Sequence, residues 1–309
     1  MLSGEKILLT GPAGQIGYPM AAYLAKDNEV WGLARFSDEG AREKVKAAGV
    51  TVYACDLGVG DLSGLPDDFT YVVHLAALMS GDSYDRAITA NAEGTGLLLQ
   101  HCRRAKAALV MSTHSVYKPW DDPWHVFVET DPLGDVNSSV TPTYSVSKIT
   151  EEGVARFCAR AFDLPVIIAR MNASYGPNGG LPAYHMDAVA AGQDVTTRWD
   201  PCLYMPIYED DINEQTAALL DAATVPATIV NWAGDEPVSV QDWVPFMGEL
   251  AGRPAHVVVK ETPGTLRGSV ADVSKRLAIT GPCRVGWREG LTRTWAARHG
   301  DGAREATPG

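Results

Sequence analysis

The sequence lacks the features of membrane-spanning, secreted and nucleic-acid-binding proteins. No apolar run approaches the roughly 20 residues that span a bilayer. The charged residues Glu5 and Lys6 stand near the N-terminus and lead directly into a predicted strand. A signal peptide would have its hydrophobic stretch at this place, so the sequence predicts no signal peptide. The formal net charge is -12, and the sequence has no stripe of basic residues. Binding to the phosphate backbone of a nucleic acid requires such a stripe. We therefore expect a cytoplasmic protein with a small-molecule partner and with neither nucleic acid nor a membrane as partner.

Cysteine is also scarce, and no two cysteines have metal-ligand spacing. An odd, dispersed set without a CxxC motif suits a reducing compartment better than a disulfide framework. The sequence therefore predicts buried free thiols and no metal site. The five residues are Cys55, Cys102, Cys158, Cys202 and Cys283.

The first half of the chain alternates short apolar runs with amphipathic stretches. Such alternation is typical of parallel strands buried on both faces and joined by helices. It predicts an α/β fold with a doubly wound parallel sheet of the Rossmann type. The predicted strands are 7–10, 29–33, 50–54, 71–75, 108–112 and 166–169, and the predicted helices are 14–26, 38–48, 84–104 and 144–162.

After about residue 176 this alternation becomes less regular, and Pro and Gly cluster in YGPNGGLP. Helices are predicted at 211–222 and 240–250, with strands at 228–232 and 255–259. We expect a dinucleotide-binding domain over 1–176, a smaller substrate lobe over 177–299 that re-enters the sheet around 203–231, and a flexible tail over 300–309.

The first predicted strand runs into TGPAGQIG, which places Gly11, Gly14 and Gly17 on the turn and at the opening of a helix. Glycine allows a tight turn, close approach of backbone N–H groups to a pyrophosphate, and close packing of helix on strand. Because the motif follows a strand and opens a helix, it predicts dinucleotide binding.

The end of the second strand normally contacts the adenosine ribose, where an acidic residue favours NAD(H) and an arginine favours NADP(H). Ala34 stands at the acidic position and Arg35 follows it. We therefore expect NADP to be preferred, with NAD as the alternative, unless Arg35 is merely a solvated loop charge. Asp56 and Leu57 follow the third strand and are candidate neighbours of the adenine, although Asp56 would equally serve as a turn cap.

The segment TPTYSVSK places Tyr144 and Lys148 four residues apart, on one face of a predicted helix. A lysine ammonium and a nicotinamide charge would lower the pKa of the phenol, which could then exchange a proton with a carbonyl or alcohol oxygen. Tyr and Lys at this spacing are common on surfaces. Here, however, a preceding strand delivers hydroxyls at 112–115 to the same sheet edge.

These motifs together resemble the extended short-chain dehydrogenase/reductase family, also known as the NAD-dependent epimerase/dehydratase family. The likeness covers roughly residues 5–296. The segments that carry it are TGPAGQIG, HLAA (74–77), NAEGT from Asn91, STHSVY, the Tyr144/Lys148 pair, RMNASYGP (170–177), YEDDI and VSKRLAITG.

The resemblance implies that Thr113 is the catalytic hydroxyl beside Tyr144 and Lys148, with Ser112 and Ser115 as fallbacks. It also implies a homodimer through the 84–104 and 144–162 helices. The implied cofactor residues are Gly11, Gly14, Gln15, Ile16, Gly17, Arg35, Asp56, Leu57, Leu75, Ala76, Ala77, Asn91, Tyr144, Lys148 and Met171. The implied substrate residues are Met79, His114, Ser115, Asn172 and Tyr175.

Three departures from the family pattern bear on the substrate. His114 and Ser115 stand where dehydratases carry an acidic pair, so His114 is either an acid–base group or a packed structural histidine. No arginine lies between Cys202 and Asp211, where nucleotide-sugar enzymes clamp a diphosphate, and Arg198 is displaced from that place. The aromatic residues of the 118–142 loop would either line a pocket or fix the loop to the core.

The departures favour an NAD(P)-dependent oxidoreductase acting on a small carbonyl or alcohol. In this hypothesis Tyr144 transfers the proton, Thr113 holds the oxygen, and Lys148 tunes the phenol and anchors the ribose. The alternative is a nucleotide-sugar epimerase or dehydratase with tightly bound NAD. A third hypothesis, a non-catalytic dinucleotide sensor, is disfavoured because Tyr144 and Lys148 are both present.

Overall fold

The computed structural model describes residues 2–79, 83–134 and 141–300. Its centre is a seven-stranded parallel sheet in the order β3-β2-β1-β4-β5-β7-β13. The strands are β1 Lys6–Thr10, β2 Glu29–Ala34, β3 Thr51–Ala54, β4 Tyr71–His74, β5 Ala107–Thr113, β6 Val126–Phe127, β7 Val166–Met171, β8 Ser174–Gly176, β9 Gly179–Gly180, β10 Val195–Thr197, β11 Leu203–Tyr204, β12 Ile207–Tyr208, β13 Thr228–Trp232, β14 Val238–Ser239, β15 Val257–Val259 and β16 Val270–Ala271.

Helices cover both faces of this sheet, which confirms the predicted doubly wound α/β fold. The helices are α1 Gly17–Leu24, α2 Glu39–Ala47, α3 Tyr84–Ile88, α4 Gly94–His101, α5 Tyr144–Phe162, α6 Leu181–Ala190, α7 Glu209–Asp221, α8 Val240–Ala251, α9 Ser274–Thr280 and α10 Trp287–His299. A π-helical turn, Thr89–Glu93, joins α3 to α4, and a 3₁₀ turn, His114–Val116, follows β5.

The alternation of side chains along each strand divides the sheet core into two layers. Ile7 and Leu9 point to the side of α1 and α7, whereas Leu8 points to the side of α4 and α5. All three are fully buried, as are nearly all side chains of β7. Burial on both faces explains why these strands have continuous apolar runs rather than alternating ones.

Two predicted helices differ in detail from the structure. The first begins at Gly17 rather than at residue 14, because the backbone from Gly11 to Gly14 forms the turn that follows β1. The helix predicted over 84–104 is interrupted by the π-helical turn. Asn91 in that turn accepts a hydrogen bond from Leu78 N at 2.6 Å and donates to Leu78 O at 3.0 Å, which connects the helix to the segment after β4.

The later part of the chain forms a smaller lobe around its own core. Helices α6, α8 and α10 contact one another, and Trp243, Met186 and Met247 are fully buried among them. Strand β13 pairs in parallel with β7 and so lies in the main sheet. The division into domains at residue 176 stays a prediction.

Several expectations concern the chain as a whole. The predicted tail at 300–309 lies outside the described residues except for Gly300. Across the described ranges no helix is long and apolar enough to cross a membrane. The same residues contain no cluster of side chains that could hold a metal ion, and all five cysteines are free thiols.

Candidate active site

A cavity of about 960 Å³ opens at the carboxyl edge of the main sheet. One end, which we call the cofactor end, is lined by the loops after β1, β2, β3 and β4. The other, the substrate end, is lined by residues from 172–204 and 266–269. Thr113, Tyr144 and Lys148 line the wall between the two ends. Ligands of doubly wound sheets bind at this edge.

The glycine loop forms a cradle of backbone at the cofactor end. Gly11 has a φ of +72°, and a Cβ there would lie 3.2 Å from the backbone of Ala76. A Cβ on Gly17 would lie 1.9 Å from the carbonyl oxygen of Gly11. No side chain fits at either position, so backbone N–H groups at the opening of α1 can approach a pyrophosphate.

Residues from the later lobe hold this loop in place. Asn178 Nδ2 donates to the carbonyls of Gly14 (3.2 Å) and Gln15 (2.9 Å), and Ser174 Oγ donates to Gln15 Oε1 at 3.1 Å. The loop is therefore fixed before a cofactor arrives. Preorganisation of this kind reduces the entropy cost of binding.

The adenosine part of the cofactor end contains the predicted residues. Ala34 and Arg35 line the cavity where β2 ends, and Asp56 and Leu57 line it after β3. Asp56 Oδ1 also accepts a hydrogen bond from Gly58 N at 2.9 Å, so Asp56 caps its own turn as well as facing the cavity. The Arg35 side chain is exposed.

The segment after β4 forms the adjacent wall. Leu75 N and Ala76 N both donate to Thr10 Oγ1 at 3.0 Å, which fixes the backbone opposite Gly11. Asn91 Nδ2 donates to Ser147 Oγ at 2.9 Å and so connects the π-helical turn to α5. Leu75, Ala76, Ala77, Asn91 and Met171 all line the cavity, and their contact with a cofactor stays a prediction.

The three predicted catalytic side chains lie together at the start of α5 and the end of β5. The Thr113 hydroxyl is within hydrogen-bonding reach of Tyr144 and lowers its pKa. Burial has the larger effect and raises the pKa of Tyr144, and Lys148 opposes that effect. Lys148 Nζ donates to Met111 O at 2.7 Å and forms an ion pair with Glu151.

A second buried ion pair fixes α5 against the sheet. Arg170 Nε and Nη2 donate to the two Glu152 oxygens at 2.9 and 2.7 Å, and Ser112 Oγ donates to Glu152 Oε1 at 2.5 Å. This bidentate arrangement joins β5, α5 and β7. Because the Ser112 hydroxyl is used in this arrangement, Ser112 has a structural role. Thr113 and Ser115 remain as candidates for the catalytic hydroxyl beside Tyr144.

His114 is a packed, neutral side chain in this arrangement. Its Nδ1 lies 3.1 Å from Ser269 Oγ, and its ring meets Tyr117 and Phe127 edge to face. Burial, with a smaller contribution from Arg170, lowers the pKa of His114 to about 3. These contacts favour the structural alternative for His114. His114 also lines the cavity, and its Nε2 has no hydrogen-bond partner among the residues that the structure describes.

The other predicted substrate residues divide into three groups. Ser115 and Asn172 line the substrate end, and Asn172 Nδ2 donates to Ser269 O at 2.7 Å. Met79 lies at the cavity rim, 56% exposed. The assignment of Tyr175 to the substrate is wrong, because this side chain is fully buried outside the cavity and its hydroxyl donates to Trp287 O at 3.2 Å.

The substrate end also contains Arg198, which the sequence analysis named as displaced from the diphosphate position, and residues that the sequence did not identify. Arg198 lines it, and its Nη2 donates to the Tyr204 hydroxyl at 3.0 Å. Leu181, Leu203, Leu266, Gly268 and Ser269 complete the wall. Arg198 precedes β11 by only a few residues. This short distance along the chain was the one feature of the sequence that could have placed Arg198 at the substrate end.

The aromatic residues of the 118–134 segment do not line the cavity. Trp120 and His125 stack on each other with centroids 4.1 Å apart, and Phe127 stacks on Tyr117 at 4.8 Å. Strand β6 pairs with β16 and thereby holds the segment against 268–271. The described residues of this loop therefore fix it to the core and do not line a pocket. Residues 135–140 of the loop lie outside the described residues.

The fold and the cavity are those of a doubly wound α/β protein with a glycine turn and a neighbouring Tyr144 and Lys148 at one sheet edge, and the comparisons place it more narrowly. The model of the NAD-dependent epimerase/dehydratase family matches residues 7–198. The chain belongs to that family, as the sequence motifs predict.

Several relatives and structural neighbours of the chain are named as epimerases of UDP-linked sugars. It is 25% identical over 294 residues to an uncharacterized UDP-glucose epimerase, YtcB, of Bacillus subtilis, covering 87% of this chain and 90% of that protein. The UDP-glucose 4-epimerase of Thermus thermophilus in complex with NAD is 25% identical, with a TM-score of 0.82 and coverage of 98% and 100%. The UDP-glucuronic acid 4-epimerase of Bacillus cereus, with UDP-glucuronic acid and NAD, is similar in fold at 23% identity and a TM-score of 0.82, covering 94% and 98%.

Proposed function

We propose that the protein is an NAD-dependent 4-epimerase of a nucleotide-linked sugar. The observation that carries the proposal is one continuous cavity with a glycine cradle at one end, Tyr144 in the wall and a cation, Arg198, at the other end. A dinucleotide would occupy the cofactor end. A diphosphate at the substrate end would receive charge-assisted hydrogen bonds from Arg198.

The position of Arg198 revises the argument against a nucleotide sugar. No arginine occupies β11 or β12, but the fold brings Arg198 to the cavity beside Tyr204 of β11. The proposal therefore takes the epimerase alternative over a small-substrate oxidoreductase.

The chain's own residues would transfer the proton. Bound NAD would supply the hydride acceptor for the first half of the reaction and the donor for the second. Tyr144 would take the proton of the sugar hydroxyl as the hydride leaves, and return it in the second half. Thr113 would hold the same oxygen by a hydrogen bond, and Lys148 would stabilise the phenolate and bind the ribose.

The residues after Thr113 favour epimerisation over dehydration. Elimination of water from a sugar needs an acid and a base in addition to Tyr144, which would transfer the proton during hydride transfer. No carboxylate directly follows Thr113 in the sequence. His114 is neutral and hydrogen-bonded to Ser269, and Ser115 does not titrate. Neither residue fits the role of that acid–base pair.

Arg35 is the one observation that favours NADP over NAD. Its side chain is at the adenosine part of the cavity, where a ribose 2′-phosphate would accept hydrogen bonds from a guanidinium. The structures of relatives named above contain NAD. We propose NAD as the resident cofactor, and a comparison of the two dinucleotides in binding assays tests this choice.

We also propose a homodimer through α4 and α5. These two helices contact each other, and together they expose Leu97, Val146 and Phe157, the last of which is 66% exposed. An exposed apolar stripe of this kind is typical of a contact surface. Light scattering should give the mass of two chains, and the mass of one chain would exclude the dimer.

The proposed activity can be tested directly. Purified protein without added cofactor would be incubated with UDP-linked hexoses and uronic acids, and the products followed by NMR. We expect interconversion at C4 with no net consumption of dinucleotide. Consumption of NADPH with simple ketones, and none of the sugar reaction, would support the small-substrate oxidoreductase instead.

A further inference from the structure

Glu151 is a buried carboxylate for which the proposed chemistry gives no role. It lies on α5 one turn beyond Lys148, and its side chain is 1% exposed. Its Oε2 forms an ion pair with Lys148 Nζ. Neither oxygen has a further hydrogen-bond donor among the residues that the structure describes. Burial raises the pKa of Glu151 to about 7 against the opposing effect of Lys148, so the carboxylate carries its full charge only above that pH.

The nearest imidazole does not satisfy this carboxylate. His74 Nε2 lies 3.6 Å from Glu151 Oε1, but it is also 2.7 Å from Thr95 Oγ1. Thr95 donates its own proton to Asn91 O, so it must accept from His74 Nε2, and the Nε2–H is already used. Burial lowers the pKa of His74 to about 3, which keeps the ring neutral.

The charged and titratable groups around Glu151 are few. Lys148, Tyr144 and Glu152 lie on the same helix, and His74 faces it from β4. Glu152 is neutralised by Arg170 of β7 in a bidentate pair. Lys148 is therefore the one cation paired with Glu151 among the described residues, and Glu151 is the one anion paired with Lys148.

The structural task on this helix is already performed by Glu152. Its contacts with Arg170 and Ser112 join α5 to two strands. Among the described residues, Glu151 pairs with Lys148, the group that acts on Tyr144, and its one other polar neighbour is the neutral His74 ring at 3.6 Å. Glu151 raises the pKa of Tyr144 and Lys148 lowers it. Removal of Glu151 would leave the field of Lys148 uncompensated at the phenol.

We propose that Glu151 is a positioning residue that holds the Lys148 ammonium against the Met111 carbonyl and offsets part of its charge. The expected consequence is that Tyr144 loses its proton at a higher pH than it would beside Lys148 alone. This inference rests on the proposed acid–base role of Tyr144. It does not depend on which substrate the enzyme uses.

The test measures Tyr144 ionisation without a substrate. Tyrosinate absorbance is recorded after rapid pH jumps with NAD⁺ present, and the Tyr144→Phe spectrum is subtracted to isolate Tyr144 from the other ten tyrosines among the 11 in the chain. Tyr144 and Glu151 are seven residues apart, or about 10 Å along the helix. At an effective dielectric constant of about 20, loss of the Glu151 charge should lower the midpoint by about one pH unit.

The isosteric variant Glu151→Gln should show this lower midpoint, and Glu151→Asp, which keeps the charge, should stay at the wild-type midpoint. Glu249→Gln removes the same charge from the exposed face of α8 and should also leave the midpoint unchanged. If Glu151→Gln does not fold, Glu151→Ala, which leaves room for water beside Lys148, is tested with the same expected direction.

Because the experiment contains no sugar, its outcome does not depend on whether the proposed epimerase activity is right. A Tyr144 transition in Glu151→Gln at lower pH than in wild type supports the positioning role, including the case in which the wild-type transition lies above the accessible range. An unchanged or higher midpoint, or no Tyr144 transition in either protein, overturns it.

Discussion

The cofactor end of the cavity is built mostly from backbone, and the substrate end mostly from side chains. At the cofactor end, Gly11 and Gly17 allow no Cβ, and Leu75 and Ala76 are held through their N–H groups. At the substrate end, Arg198, Asn172 and Ser269 present side-chain groups to the cavity. A dinucleotide is the same in every such enzyme, so a rigid backbone cradle suits it. A substrate differs between enzymes, and side chains can change without altering the fold.

The two ends also differ in how the chain reaches them. The cofactor end collects the loops after four consecutive parallel strands, all at one edge of the sheet. The substrate end joins residue 172 to 198–204 and 266–269, which are far apart along the chain. It therefore depends on the docking of the smaller lobe, through contacts such as Asn172 with Ser269. Variants at each end, and at Tyr144 between them, should have separable effects.

The largest expected effect is at the wall shared by the two ends. Tyr144→Phe removes the proposed proton-transfer group, and we expect turnover to fall by roughly 10²- to 10⁴-fold. NAD affinity and thermal stability should change little. Tyr23→Phe, on α1 and outside the cavity, is the matched control and should retain full activity. Normal turnover by Tyr144→Phe in a steady-state assay would refute the assignment of Tyr144.

The next effect should be confined to the cofactor end. Gly17→Ala places a Cβ 1.9 Å from Gly11 O, so the cradle must shift by about an ångström. A displacement of that size can cost roughly 100-fold, and we expect a loss of this order in NAD affinity by calorimetry. Gly286→Ala has open space around the new Cβ and should bind NAD normally. Equal NAD affinity in both variants would show that the cradle does not bind the pyrophosphate.

A smaller effect is expected at the substrate end. Arg198→Met keeps the length of the side chain but removes its charge and its hydrogen bond to Tyr204. Loss of a charge-assisted hydrogen bond should weaken binding of a UDP-sugar by roughly 10- to 100-fold, with NAD binding unchanged. Arg267→Met is the control, because Arg267 stacks on Trp199 and does not line the cavity. If both variants bind UDP-sugars equally well, Arg198 is not the diphosphate clamp.

The smallest effect is expected at Arg35, which is exposed to solvent. Arg35→Asp should shift the ratio of NADP to NAD affinity towards NAD by about tenfold, since an exposed charge is well screened. Arg42→Asp, on α2 and outside the cavity, controls for the change in net charge. An unchanged ratio in titrations with both dinucleotides would assign Arg35 to the solvated surface.

The difference between the two ends explains what the sequence could predict. Three features could be predicted because they depend on local geometry at one edge of the sheet: the glycine turn, the Tyr144–Lys148 spacing and the position of Thr113. The order of the strands is enough to place them close together. Arg198 could not be placed, because the path from residue 198 to β11 depends on tertiary packing of the smaller lobe. Tyr175 lies in β8, directly after the cavity-lining residue Ser174, but its ring packs in the core against Tyr208.

The same limit applies to Glu151. Its spacing from Lys148 indicates one helix face, but no sequence pattern indicates that the carboxylate is buried without other partners. In contrast, Glu152 and Arg170 lie 18 residues apart in the chain, and only the packing of α5 against β7 brings them together.

If the proposed function is right, the enzyme keeps NAD bound and cycles it between the oxidised and reduced forms within one turnover. The most direct test is to denature freshly purified protein and identify the released dinucleotide by mass spectrometry. The account predicts NAD or NADH in an amount close to one per chain, in wild type and in Tyr144→Phe alike. An empty site, or a small amount of readily exchanged NADP(H), would contradict it and favour a dissociable cosubstrate of a reductase.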